Sequence, residues 1–285
     1  MPIDFARQIT LSIFSVVTFI VLNSCGTSSG KSFVPSVAAH PESKKEVFVL
    51  HKKLLEISGL IVLPNNLYAG INDEEGEVYL FKLPDDEKSL QKIPFGKEAD
   101  YEDLAQVGKV LWIMESNGDL HAVEPGNSNN IAQFKFSRDT KVEFESLVHY
   151  PQQKKLILIT KEHRFPEESI FAFSFDLTTN TFQDTPFFKI PMQEILIEVK
   201  DLSAQFKPSA AAIHPKLNKL FILASIGKVM LQCSLDGKVE KAYALNPSQF
   251  QQPEGISFAS NGDMYISNEG LEGKATILKF PFQAK

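Results

Sequence analysis

Along most of the chain, apolar positions fall in short runs rich in β-branched and aromatic residues, each bounded by Asn, Gly, Asp or Pro. Such runs read as β-strands, and they recur in a fixed order. An opening run begins at Ser58-Gly59-Leu60, Glu102-Asp103-Leu104, Glu145-Ser146-Leu147, Ala211-Ala212-Ile213 and Glu254-Gly255-Ile256, at spacings of 44, 43, 66 and 43 residues. A second run follows each time, at Leu67–Ile71, Leu111–Met114, Leu156–Ile159, Leu220–Leu223 and Met264–Ile266. A third follows at Val78–Phe81, Leu120–Val123, Ile170–Phe173, Val229–Leu231 and Ile277–Phe280. Four copies add a weaker fourth, near Leu90–Ile93, Ile131–Phe136, Phe182–Ile190 and Val239–Leu245.

Four antiparallel strands in a unit of about 43 residues make a propeller blade. The pattern therefore predicts an all-β chain, a five-bladed β-propeller of four-stranded antiparallel blades. The fifth copy lacks its fourth strand, and the run Glu46–His51 has no blade of its own. It is expected to pair as the outer strand of the last blade and close the ring, because an open ring would expose unpaired sheet edges. The long spacing comes from an insertion at about Pro191–Lys207. There Ile195, Leu196, Val199 and Leu202 give a helical period. An extra helix and a portion of a blade both remain open for it.

Ahead of the repeats, Leu11–Leu22 is an uncharged apolar run of 12 residues. A membrane-spanning helix needs about 20, so this run suits the core of a secretory signal. It ends in Leu22-Asn23-Ser24-Cys25, which resembles a bacterial lipobox and implies cleavage and lipidation at Cys25. The expected division is a signal peptide over 1–24, a flexible linker rich in Ser, Ala, Pro, Gly and Lys over 25–46, and the propeller over 47–285. The setting it implies is the bacterial cell envelope, with a lipid membrane reached through acylated Cys25. Gly26, unlike the Asp that retains many lipoproteins at the inner membrane, favours the outer membrane's periplasmic side. Cys233, left alone in the mature chain, has no internal disulfide partner and lies in an apolar run; it is expected to be buried and inert.

Of the 285 residues, 43% are hydrophobic and 22% charged, with net charge −6 and pI near 5.6. No basic cluster is present, so nucleic acid is excluded as an expected partner. The acids have a definite place. Glu102, Glu145 and Glu254 open three of the inner strands, while Ser58 and Ala211 hold that place in the other two. Asp73, Glu115, Lys161, Ser225 and Asn268-Glu269 close second strands. In antiparallel strands those two places share one end, so the acids gather on one face of the disc. Two carboxylates about 5 Å apart repel by ~3 kcal/mol at an effective dielectric near 20. Such groups separate, take up protons or bind a hard cation, Ca²⁺ before Mg²⁺. Glu102, Glu145 and Glu254 are the candidate metal ligands, against a solvated acidic rim. Asp73, Glu115, Lys161, Asn268 and Glu269 are the candidate ligand contacts, against a plain ion pair for Lys161. His149 and His214 read as turn or packing residues, and His163 as a weak ligand candidate. There is no Gly-x-Ser-x-Gly elbow, phosphate-cradling loop or nucleotide fingerprint, and catalytic residues are not assigned.

These residues carry a family resemblance. Glu56-Ile57-Ser58-Gly59-Leu60, Asp100-Tyr101-Glu102-Asp103-Leu104, Val142 to Leu147, Thr160-Lys161-Glu162, Pro208 to Pro215, Gln252 to Ile256 and Ile266 to Gly270, in this order, resemble the SdiA-regulated (YjiK-like) family of bacterial β-propeller lipoproteins. The resemblance covers about residues 50–283. It implies a five-bladed propeller with a bound calcium and an exported or lipoprotein setting. Glu102, Glu145 and Glu254 match the family's recurring acid-Gly-apolar motif; Asp103 and Ser146 stand where that motif has Gly.

Two functions are compatible with this reading. One is a membrane-tethered, calcium-binding propeller, monomeric, that binds a small ligand or an envelope protein on its acidic face. The other is a metal-dependent hydrolase, phytase-like or lactonase-like, in which an acid such as Glu115 or Glu269 activates water beside the metal.

Overall fold

The computed structural model describes residues 40, 45–84, 90–137, 142–161, 169–199, 206–270 and 273–283. The signal, Cys25, most of the linker, Glu162, His163 and Leu202 lie outside these. Five separate antiparallel sheets are formed. The first blade holds β2 (Ile57–Leu63), β3 (Leu67–Asn72), β4 (Glu77–Lys82) and β5 (Gln91–Pro94). The second holds β6 (Tyr101–Val107), β7 (Val110–Glu115), β8 (Leu120–Glu124) and β9 (Asn127–Phe134). In the third, β10 (Phe144–Tyr150), β11 (Lys155–Thr160) and β12 (Ser169–Asp176) are followed by an outer edge split into β13 (Thr181–Phe182) and β14 (Phe188–Pro191). The fourth holds β15 (Lys207–His214), β16 (Lys219–Ile226), β17 (Val229–Cys233) and β18 (Val239–Ala244). The fifth holds β19 (Pro253–Phe258), β20 (Met264–Asn268) and β21 (Thr276–Phe280), and its outer strand is β1 (Glu46–Val49). β1 pairs with β21 in the register Glu46↔Lys279 to Val49↔Thr276, so the expected ring closure is present.

The inner strands β2, β6, β10, β15 and β19 contact one another in a closed circle. Each blade is flanked by two others, so its middle strands are buried on both faces. That is why β11, β16 and β20 read as unbroken apolar runs instead of alternating with polar residues. The period of 2 survives as a choice of partner. On β16, Leu220, Ile222 and Ala224 face the third blade, while Phe221 and Leu223 face the fifth. The interior is accordingly five cores, one in each gap between neighbouring blades. Cys233 is buried in the gap between blades three and four, as expected.

Over its described residues the insertion forms a helix between the end of β14 and the start of β15. α1 (Met192–Glu198) starts directly after Pro191 and buries Met192 and Ile195 in the gap between blades three and four. Leu196, expected on the same stripe, is 43% exposed. Seven residues make two turns, and the core-facing row is Met192, Ile195 and Val199.

Every inner strand carries a bulge at the same point, where one residue has no partner on the second strand. The bulged residues are Ser58, Glu102, Glu145, Ser209 and Glu254. In the fourth blade this differs from the expected Ala211, which lies two residues further along. The side chains next to the bulges are where blades meet most closely. A Cβ on Gly59 would come within 2.6 Å of Leu104 Cδ2 in the next blade. Where Gly gives way to Asp103, the carboxylate is used as a clamp. Its Oδ1 accepts from Leu104 N at 2.8 Å and its Oδ2 from Leu147 N of blade three at 2.7 Å. Ser209 Oγ donates to Pro253 O at 2.7 Å, and Val62 N donates to Ser257 Oγ at 3.0 Å. These fasten blade four to five and five to one.

Candidate functional site: the acidic mouth of the channel

A bulge re-aims the side chain that it displaces from the ladder. Here all five displaced residues turn into the channel, and all five line one cavity of about 210 Å³ at its mouth. Glu102, Glu145 and Glu254 are therefore brought together as expected, with Ser58 and Ser209 completing the ring. Asp73, Lys161 and Glu269, each one residue beyond the end of a second strand, also line it. Glu115 and Asn268 do not. They are the last residues of β7 and β20, opposite Tyr101 and Pro253, one step earlier than Lys161 or Glu269. One step along a strand reverses the side chain's face. Glu115 Oε1 meets the buried His121 Nε2 at 2.6 Å, and Asn268 Nδ2 donates to Gln249 O at 3.3 Å in a separate cavity at the rim.

Three further polar lining residues were not expected: Glu56, Asp100 and Gln252. Each precedes its bulged residue by two. The same period that identifies a strand face places i−2 beside i, so the signal for them was present. Among the described residues the mouth then carries seven carboxyl groups, from Glu56, Asp73, Asp100, Glu102, Glu145, Glu254 and Glu269, and one ammonium, from Lys161.

Lys161 Nζ is ion-paired with Glu145 Oε1, whose side chain is almost wholly buried. Even so, burial pushes Glu145 up to about 7, with Asp100 and Glu143 adding to it and Lys161 opposing. Burial and the charge of Glu145 push Glu102 up to about 9, again against Lys161. Burial and Glu145 raise Glu254 to about 7, opposed by a hydrogen bond with Ser225. Burial also raises Glu269, with help from Asp73 and Glu56. Burial lowers the affinity of Lys161 for its proton, but the surrounding acids outweigh it and the group stays charged. Gln252 Nε2 donates to Glu269 Oε2. Among the described residues, two buried polar atoms of lining residues have no hydrogen-bond partner or ion pair: Ser58 Oγ, on a residue only 8% exposed, and Asp73 Oδ1.

Below the clamp formed by Asp103 the channel changes character. A second cavity of about 210 Å³ is lined mainly by Leu60, Val62, Leu104, Leu147, Ile213, Ile256 and Phe258, with His149 at its edge. His214 is fully buried and its Nδ1 accepts from Lys216 N and Leu217 N, both at 3.1 Å, which is the turn role expected of it.

The calcium expected from the family resemblance requires six to eight oxygens at 2.3–2.6 Å from one point. Among the described residues no three His, Cys, Asp or Glu side chains converge closely enough to hold a metal ion. The ammonium of Lys161 already neutralises a share of the trio's charge. The donor set as it stands does not fit calcium.

No family model and no curated protein matches the chain. Solved structures do. A structural-genomics protein of unknown function from Bacteroides thetaiotaomicron VPI-5482 is similar over 75% of this chain at 12% identity, with a TM-score of 0.53. The chain spans about half of that protein, 52% of its length. A luciferin-regenerating enzyme matches at 13% identity over 78% of this chain and 76% of its own, with a TM-score of 0.49. A streptogramin B lyase matches at 8% identity over 83% and 97%, also at 0.49. At these identities the likeness is one of fold.

Proposed function

We propose that this chain is a tethered binding propeller that takes a positively charged ligand into the mouth of its central channel. One observation carries the reading. Among the described residues seven carboxyl groups surround one cavity with one lysine among them, and burial holds Glu102, Glu145 and Glu254 well above the usual carboxylate range. Raised values mean that the ionised forms are under-stabilised. A cation entering the cavity stabilises them, and its binding releases protons. The tether, and with it a cell-envelope setting, is supported by Leu22-Asn23-Ser24-Cys25 and the signal-like run before it.

Isothermal titration of the full chain with a panel of small cations, calcium among them, at constant ionic strength tests the site. Saturable binding that is lost in Glu254→Gln supports it; no binding by any cation removes it. Membrane fractionation of Cys25→Ser tests the tether separately.

A hydrolase is the second reading, and one observation favours it. Glu145 and Glu254 sit near 7, the range in which a carboxyl group exchanges protons with substrate most effectively at neutral pH. Turnover of a lactone or phosphoester, abolished by Glu254→Gln in a chain of unchanged melting temperature, would establish it over simple binding.

A further inference from the structure

Resting on the reading of the channel mouth as a cation site, we infer that its ligand is a small organic ammonium ion, not a metal ion. It is held against the wall formed by blades one and five. Three observations point there. First, the charges are unevenly placed. Lys161 is committed to Glu145 on blade three. The opposite wall holds Glu56 and Asp73 from blade one and Glu254 and Glu269 from blade five, with no cation lining it among the described residues. An incoming cation is repelled by Lys161 and drawn to that wall.

Second, the wall holds polar atoms waiting for a partner. Ser58 and Asp73 line the cavity, and among the described residues the buried Ser58 Oγ and Asp73 Oδ1 have no hydrogen-bond partner. A hydroxyl and a carboxylate oxygen of this kind suit an ammonium group, which carries three N–H donors. Charge-assisted N–H···O bonds are made at 2.7–2.9 Å. Third, the carboxylates surround a volume instead of converging on a point. A metal ion needs its oxygens drawn in to 2.3–2.6 Å. An alkylammonium spreads its contacts over its length. The cavity has room for about seven waters at ~30 Å³ each, the scale of a short diamine or an amino alcohol. A diamine also suits the cavity, since its second ammonium finds Asp100 there.

The test is calorimetric titration of the full chain at pH 7.5 with 1,4-diaminobutane, ethanolamine and calcium chloride. Binding of either amine at least tenfold tighter than calcium is expected. Ser58→Ala should weaken amine binding severalfold without changing the melting temperature, because Ser58 Oγ has no hydrogen-bond partner among the described residues. Asp73→Asn should weaken it tenfold or more. Calcium binding as tightly as the amines, or alone, overturns the inference while leaving the cation site standing. Failure of all three overturns both. Amine binding indifferent to both variants puts the ligand elsewhere and overturns the assignment to this wall.

Discussion

The ammonium of Lys161, just past the end of β11, is ion-paired with the carboxylate of Glu145, the bulged residue of the adjacent β10. One side chain is 35% exposed and the other 7%, so the pair brings a half-solvated cation to a nearly dry anion. Replacing Lys161 with Gln strips Glu145 of that cation. At pH 8, where Glu145 is ionised, the variant should lose about 1–2 kcal/mol, discounted for the solvent around Lys161. At pH 5, where the folded chain holds Glu145 protonated, the loss should nearly vanish. Urea unfolding at the two pH values checks this.

Glu102 gives a pH dependence of definite sign. Its folded value near 9 lies above the ordinary 4.5, so the folded chain keeps a proton that the unfolded chain has released. The stability this group contributes is full below pH 4.5 and is lost as pH rises toward 9. Glu102→Gln removes the titration. Its melting temperature should exceed the parent's by several degrees at pH 8.5 and match it near pH 5, as read by scanning calorimetry.

Asp103 joins two blades through the amides of Leu104 and Leu147. Asp103→Ala leaves both buried donors without acceptors. Each costs about 1–3 kcal/mol, so a loss of about 3 kcal/mol in unfolding free energy is expected. Hydrogen exchange should quicken at Leu147 more than at amides in the middle of β16.

At the underside, His40 and His214 are both fully buried, with ring centroids 5.7 Å apart. His40 Nδ1 lies 3.1 Å from Phe280 O, and both groups also sense Phe282 and, for His40, Asp263. Burial and the neighbouring His40 depress His214 from 6.5 to about 4. A depressed base stabilises the folded chain above its unfolded value, and that stability is lost as pH falls from 6.5 to 4. His214→Asn keeps an acceptor for the turn amides and removes the titration. The difference in stability between parent and variant should change across that window and be flat above pH 7.

The strands were legible because each run is short, apolar and bounded by turn residues, and the missing fourth strand of the last blade pointed to Glu46–Val49. The bulges were not. In Pro208-Ser209-Ala210-Ala211-Ala212-Ile213, three alanines give no contrast from which to read register. Aligning the strand two residues late preserves every inside–outside assignment, since the side-chain period is also two. Ser209 is thereby hidden behind Ala211. With Glu115 and Asn268 the slip is a single residue, and a single residue reverses the face. Glu56, Asp100 and Gln252 are readable from the same period once the bulged residues are fixed.

The last blade is completed by strands from opposite ends of the fold, β1 and β21, matched over four residues with Lys279 Nζ 2.7 Å from Glu46 Oε1. Mechanical load arriving through the segment ahead of Glu46 meets His40 first and then these four rungs. Pulled outward, the rungs open in succession like a peeled strip, at low force, while the seams between blades two, three and four carry none of it. The disc has one weak join, the four rungs between β1 and β21.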